Sequence, residues 1–181
     1  MKHNRTRIIL QILVRKMNIF FSQYIKMKYG SGLSDKELIS LCQSYNIEIN
    51  GIFSKNNLPN ELKNGWYIVN LQSSDEGSGT HWLGYKKREN EIDFWFDSMG
   101  FVAPADIEKI TKEYLYGSRK LQDDDAKSCG WWVLGCILET EKDENDEFNF
   151  KSFLNSFGNN TAVNENKLNV LFKNVMNQKP L

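Results

Sequence analysis

Cys129-Gly130-Trp131-Trp132-Val133-Leu134-Gly135-Cys136-Ile137-Leu138 runs ten residues without a charge, and its reading decides the fold. A segment apolar on every side belongs in a core, so Gly130 to Leu138 reads as a buried helix that opens at Cys129. Other elements must cover it. Upstream, Trp66 to Leu71, His81 to Tyr85 and Ile92 to Phe96 are runs of aromatic and branched residues separated by Gly, Ser, Asp and Asn, which predicts strands of an antiparallel sheet. Downstream, the spacing predicts two amphipathic helices, roughly 148 to 157 and 163 to 176.

Ser34-Asp35-Lys36-Glu37 reads as a capping box ahead of apolar Leu38, Ile39, Leu41 and Cys42, predicting a helix from about 34 to 45 with Cys42 in the core. Pro104 suits a helix start, and Ile107, Ile110, Tyr114 and Leu115 extend an apolar stripe to about Tyr116. A short strand is expected around Leu121-Gln122. No repeat is visible. The class expected is α+β, a mixed, mostly antiparallel sheet packed against helices, with Cys129 at a helix N-terminus.

The chain has 181 residues, enough for one core and too few for two ordinary domains. Its formal charge of zero hides an asymmetry: residues 1 to 34 carry seven Lys or Arg and no acid. We therefore divide the chain into a basic arm or leader, 1 to 30, and a domain, 31 to 181. The arm is either a solvated leader or an electrostatic attractor for phosphate, nucleic acid or an anionic membrane surface. Gln11, Arg15, Lys16 and Asn18 break its apolar runs, so no membrane span is expected. Neither a long apolar core nor a cleavage site marks a secretory signal. Three cysteines, Cys42, Cys129 and Cys136, make a poor disulfide framework and suit a reducing compartment.

Nucleophilic chemistry at a thiol needs an imidazole, a group that orients it, and donors for a developing oxyanion. Only His3 and His81 exist, and His3 lies in the arm, which leaves His81 as the base. The competing reading is a histidine satisfied within an aromatic sheet beside Trp82. Asp97 follows the strand Ile92 to Phe96, and a hairpin with His81 to Tyr85 would bring acid and imidazole to one end of the sheet. Asp97-Ser98-Met99-Gly100 is equally an ordinary turn. Cys129 opens a helix, where unpaired N–H groups and the dipole favour a negative sulfur, whereas Cys136 is deeper. Gln122 precedes Cys129 by seven residues, room for a loop that returns its amide to the sulfur. Gly77 and Gly79 allow a substrate backbone to approach His81 closely.

Metal chemistry is not expected. Cys129, Cys136 and His81 lack chelating spacing for zinc, and Gly77-Ser78-Gly79 leads into a strand, unlike a phosphate loop.

Gly79-Thr80-His81-Trp82, Phe96-Asp97-Ser98-Met99-Gly100 and Gln122 followed after six residues by Cys129-Gly130 together resemble the adenovirus maturation protease (adenain) family. The similarity spans about residues 33 to 140. It implies a papain-like fold and a cysteine endopeptidase with catalytic His81, Asp97, Gln122 and Cys129, and with Gly79, Trp82 and Gly130 in the substrate-binding surface. Asp97-Ser98 leans toward the SUMO-deconjugating branch, where the adenoviral members have Glu, while the Gln-to-Cys spacing leans back. By the resemblance, the substrates are capsid or virion precursors cut at Gly-containing sites, in the virion or the host cytoplasm, of a virophage or giant-virus type of element. No cofactor is required, although DNA or a peptide activates adenain, and the basic arm suits DNA. The alternatives are an isopeptidase for ubiquitin-like modifiers and a noncatalytic scaffold. Tyr29-Gly30-Ser31-Gly32 reads as a hinge or a self-cleavage site.

Overall fold

A computed structural model describes residues 32–77, 79–111 and 113–178. The basic arm, whose apolar and basic residues from Arg7 to Met27 alternate with a spacing that predicts a helix, lies outside the described residues, as does the Tyr29–Gly32 segment except Gly32.

Helix α1, Asp35–Tyr45, begins as the capping box predicts. Ser34 Oγ accepts from the Glu37 N–H at 3.3 Å and Glu37 Oε2 accepts from the Ser34 N–H at 2.9 Å. Leu38, Leu41, Cys42 and Tyr45 form its buried face, and Asn46 ends it in the left-handed conformation.

Strands β1 (Gly51–Ser54), β2 (Gly65–Asn70), β3 (Trp82–Lys87), β4 (Asp93–Phe96) and β5 (Tyr114–Tyr116) form one sheet in sequence order. The three central strands pair antiparallel, as expected from their sequences. The edges do not: β1 pairs parallel to β2, and β5 parallel to β4. The sheet is therefore mixed, and the fold is α+β.

Alternation along the strands divides the core in two. Trp66, Ile68, Phe94 and Phe96 face the large helical layer, while Tyr67, Val69, Tyr85 and Trp95 pack with Ala103 and Ile107 on the opposite side. Both faces are covered, which is why β2 and β4 are buried almost throughout.

The long helix expected after Pro104 is corrected. Only α2, Ala105–Glu108, is helical, and Tyr114 to Tyr116 are strand β5. The Thr111 hydroxyl donates to the Glu113 carbonyl at 3.0 Å, turning the chain, and pairing with Asp93 to Trp95 then supplies backbone hydrogen bonds that a continued helix would forgo. Leu121-Gln122 is likewise no strand: both N–H groups converge on the Ser98 carbonyl, at 2.8 and 3.0 Å.

Helix α3, Cys129–Thr140, is the buried helix expected, with α4 (Asp146–Asn155) and α5 (Thr161–Gln178) beside it. Trp132, fully buried, meets Phe153 and Phe157 edge-on and donates from Nε1 to Glu165 at 3.0 Å. Trp132→Ala should lower unfolding stability by about 3–5 kcal/mol, read as a reduced midpoint in urea. No helix among the described residues is long and apolar enough to cross a membrane.

Candidate active site

The register Asn70↔Trp82 and Gly84↔Phe96 places the end of β2, the start of β3 and the end of β4 at one edge of the sheet. His81 immediately precedes β3 and Asp97 immediately follows β4, so the hairpin delivers both to that edge. His81 Nε2 donates to Asp97 Oδ1 at 2.8 Å, with side-chain exposures of 14% and 4%. The Met99 N–H donates to the same carboxylate oxygen at 2.7 Å, and the turn closes through Gly100 N–H to the Asp97 carbonyl at 3.0 Å. Gly100 takes φ +79°, and a Cβ there would meet the Ser118 carbonyl at 2.8 Å, so glycine is required where the turn touches the neighbouring loop.

Cys129 is the first residue of α3 and lines a cleft of about 840 Å³ together with His81, Trp82, Gln122, Asn70, Gly79 and Leu33. Its N–H has no acceptor among the described residues, as befits the first turn of a helix. Cys129 also acts on the His81 ring across this cleft, favouring its charged form. Since Nε2 is committed to Asp97, the ring nitrogen left for the sulfur is Nδ1.

Burial acts most strongly on the His81 ring and disfavours its charge, but hydrogen bonds to Asp97 and Cys129 and the charges of both together raise its pKa from 6.5 to about 9. The raised value means that the charged ring stabilises the fold fully below its unfolded pKa and loses that contribution as pH rises through about 9. Any reaction in which this imidazolium donates a proton should decline above pH about 9, and Asp97→Asn should move that alkaline limb to lower pH. A kcat/KM profile against pH on both proteins checks it, and coincident limbs would refute Asp97 as the source. Burial raises the Cys42 thiol to about 11 and lifts Cys136 well above the ordinary thiol range.

Gln122 is 5% exposed and its amide orientation is fixed from both ends. Ser98 Oγ donates to Oε1 at 2.7 Å, and Nε2 donates to the Ala126 carbonyl at 2.6 Å. An amide nitrogen has two hydrogens, so one N–H of Gln122 remains for the cleft. The loop after β4 thus joins Asp97 to Gln122 through Ser98, which is fully buried.

His81, Asp97, Gln122 and Cys129 are brought together. Gly79 and Trp82 line the same cleft, and Trp82 Nε1 donates to the Leu33 carbonyl at 2.6 Å. Gly130 is not among the lining residues: its Cα faces Leu33 and Leu38, where an added Cβ would come within 3.2 to 3.3 Å. Sequence reasoning overlooked Leu33, Asn70 and Ser98. Ser98 lay within the quoted Asp97-Ser98 pair, but nothing in the residue types marks Leu33, whose contribution is a carbonyl, or Asn70, which reads only as the polar end of a strand. The chain matches no protein-family model and no curated protein.

Proposed function

We propose that the chain is a cysteine endopeptidase. One observation carries the reading: an imidazole held by a buried carboxylate on one nitrogen lines the same cleft as a cysteine that opens a buried helix. The resemblance to the adenain family points the same way and makes virion precursor proteins the expected substrates.

The chemistry follows from the positions. The Cys129 proton passes to His81 Nδ1, and the thiolate attacks the scissile carbonyl carbon, while Asp97 steadies the imidazolium it faces. The tetrahedral oxyanion accepts from the Cys129 N–H and the remaining Gln122 Nε2–H. His81 then protonates the departing amine as the C–N bond breaks, leaving a thioester on Cys129. Water attacks the thioester with its proton taken by His81, the peptide leaves as a carboxylic acid, and the thiol is restored.

The test is labelling by a peptide that ends in an electrophilic glycine, followed by mass mapping. Cys129 should be modified in the wild type, while Cys129→Ala should be inert. Equal or faster modification of Cys42 and Cys136 would sink the proposal. A panel of virion-precursor peptides and ubiquitin-like conjugates then separates an endopeptidase from an isopeptidase by which is cleaved.

A further inference from the structure

Asn70 ends β2, is 6% exposed and lines the cleft. Its Oδ1 is fully engaged, accepting from the Gln72 N–H at 2.9 Å and the Thr80 N–H at 3.2 Å, which fixes which end of the amide is oxygen. Its Nδ2 has no acceptor among the described residues, yet this nitrogen is not sealed from solvent. The amide lies against Gly79, where an added Cβ would fall 2.3 Å from Nδ2. Only glycine at 79, which also takes φ +104°, leaves room for it.

The backbone donors of Gly79 and Thr80 on this wall are already engaged. The Gly79 N–H donates to Gln72 Oε1 at 2.8 Å, the Thr80 N–H to Asn70, and the His81 carbonyl accepts from Leu71 at 2.9 Å. A nearly buried donor with no internal acceptor, on the wall that ends in His81, is poised for an acceptor brought by the substrate. An extended peptide offers a carbonyl about every 3.3 Å whatever its sequence. Resting on the endopeptidase reading, we infer that Asn70 is a substrate-binding residue whose Nδ2–H donates to a main-chain carbonyl of the peptide flanking the scissile bond, with Gly79 clearing its path.

The experiment compares wild type with Asn70→Asp, which keeps an oxygen for Gln72 and Thr80 but replaces the donor by an acceptor. Two rates are measured: modification of Cys129 by iodoacetamide, which needs no backbone docking, and by peptidyl electrophiles in which one amide at a time is replaced by a trans-alkene. In wild type one replacement should slow modification about tenfold. In Asn70→Asp the unmodified peptide should already be slowed by about that factor, and the same replacement should cost nothing more. Equal penalties in both proteins at every position would overturn the inference. Because this is a coupling, a general effect of the new charge on the thiol appears in the iodoacetamide rate and cancels. If iodoacetamide and peptide both fail to prefer Cys129 in the wild type, the endopeptidase reading falls and this inference with it.

Discussion

His81→Ala should slow acylation of Cys129 by a peptide substrate by about 10²–10⁴. On the proposed mechanism the size follows from the ring's two tasks, taking the thiol proton before attack and returning it to the amine, neither of which water can do as well from a disordered position. Alkylation by iodoacetamide should fall as well, because it too needs the thiolate that the imidazolium stabilises. The variant leaves Asp97, 5% exposed, with the Met99 N–H but without its ring partner. Some loss of folding stability is therefore expected, and the thermal transition must be measured beside the rate. His81→Gln separates the two effects, because an amide N–H can still reach toward Asp97 while no proton can be shuttled. Rates near wild type in both variants would show that the imidazole is a packing group after all.

The central sheet was legible because β2, β3 and β4 are each made of aromatic and branched residues bounded by turn formers, and α1 because a capping box is a local signature. The edges were not. Gly51 to Ser54 is four residues, too short for any periodicity, and becomes a strand because β2 offers it a ladder, extended where the Lys55 N–H reaches the Asn70 carbonyl at 2.9 Å. Tyr114-Leu115-Tyr116 sat within a plausible helical stripe, but bonds from β4 outweighed that local rhythm. Tertiary pairing decides such segments, and residue types along the chain do not encode it.

The site divides the same way. That His81, Asp97, Gln122 and Cys129 would meet could be anticipated because side chains of these types stand at the ends of elements that the sequence already marks. Leu33 contributes a carbonyl, Ser98 a hydroxyl that sets a glutamine, and Asn70 an amide half-used by a loop. Those roles exist only once α1, β2 and the loop after β4 have met at one edge, so no pattern of residue types announces them.

On the same proposed mechanism, Gln122→Ala should reduce peptide hydrolysis by about 10²–10³, the loss expected for one of two oxyanion donors. The change also strips Ser98 Oγ of its acceptor and the Ala126 carbonyl of its donor, so a stability cost of about 1–3 kcal/mol is expected alongside. Chemistry separates the two consequences. Alkylation by iodoacetamide proceeds at a saturated carbon and develops no oxyanion, so it should stay within about twofold of wild type while hydrolysis collapses. Gln122→Glu sharpens the contrast. One carboxylate oxygen still accepts from Ser98, but the other presents negative charge where the oxyanion must form, so hydrolysis should fall below that of Gln122→Ala even if the fold is better preserved. Parallel loss of alkylation and hydrolysis would mean that the glutamine only holds the loop in place. Unchanged hydrolysis would mean that the oxyanion finds its second donor elsewhere.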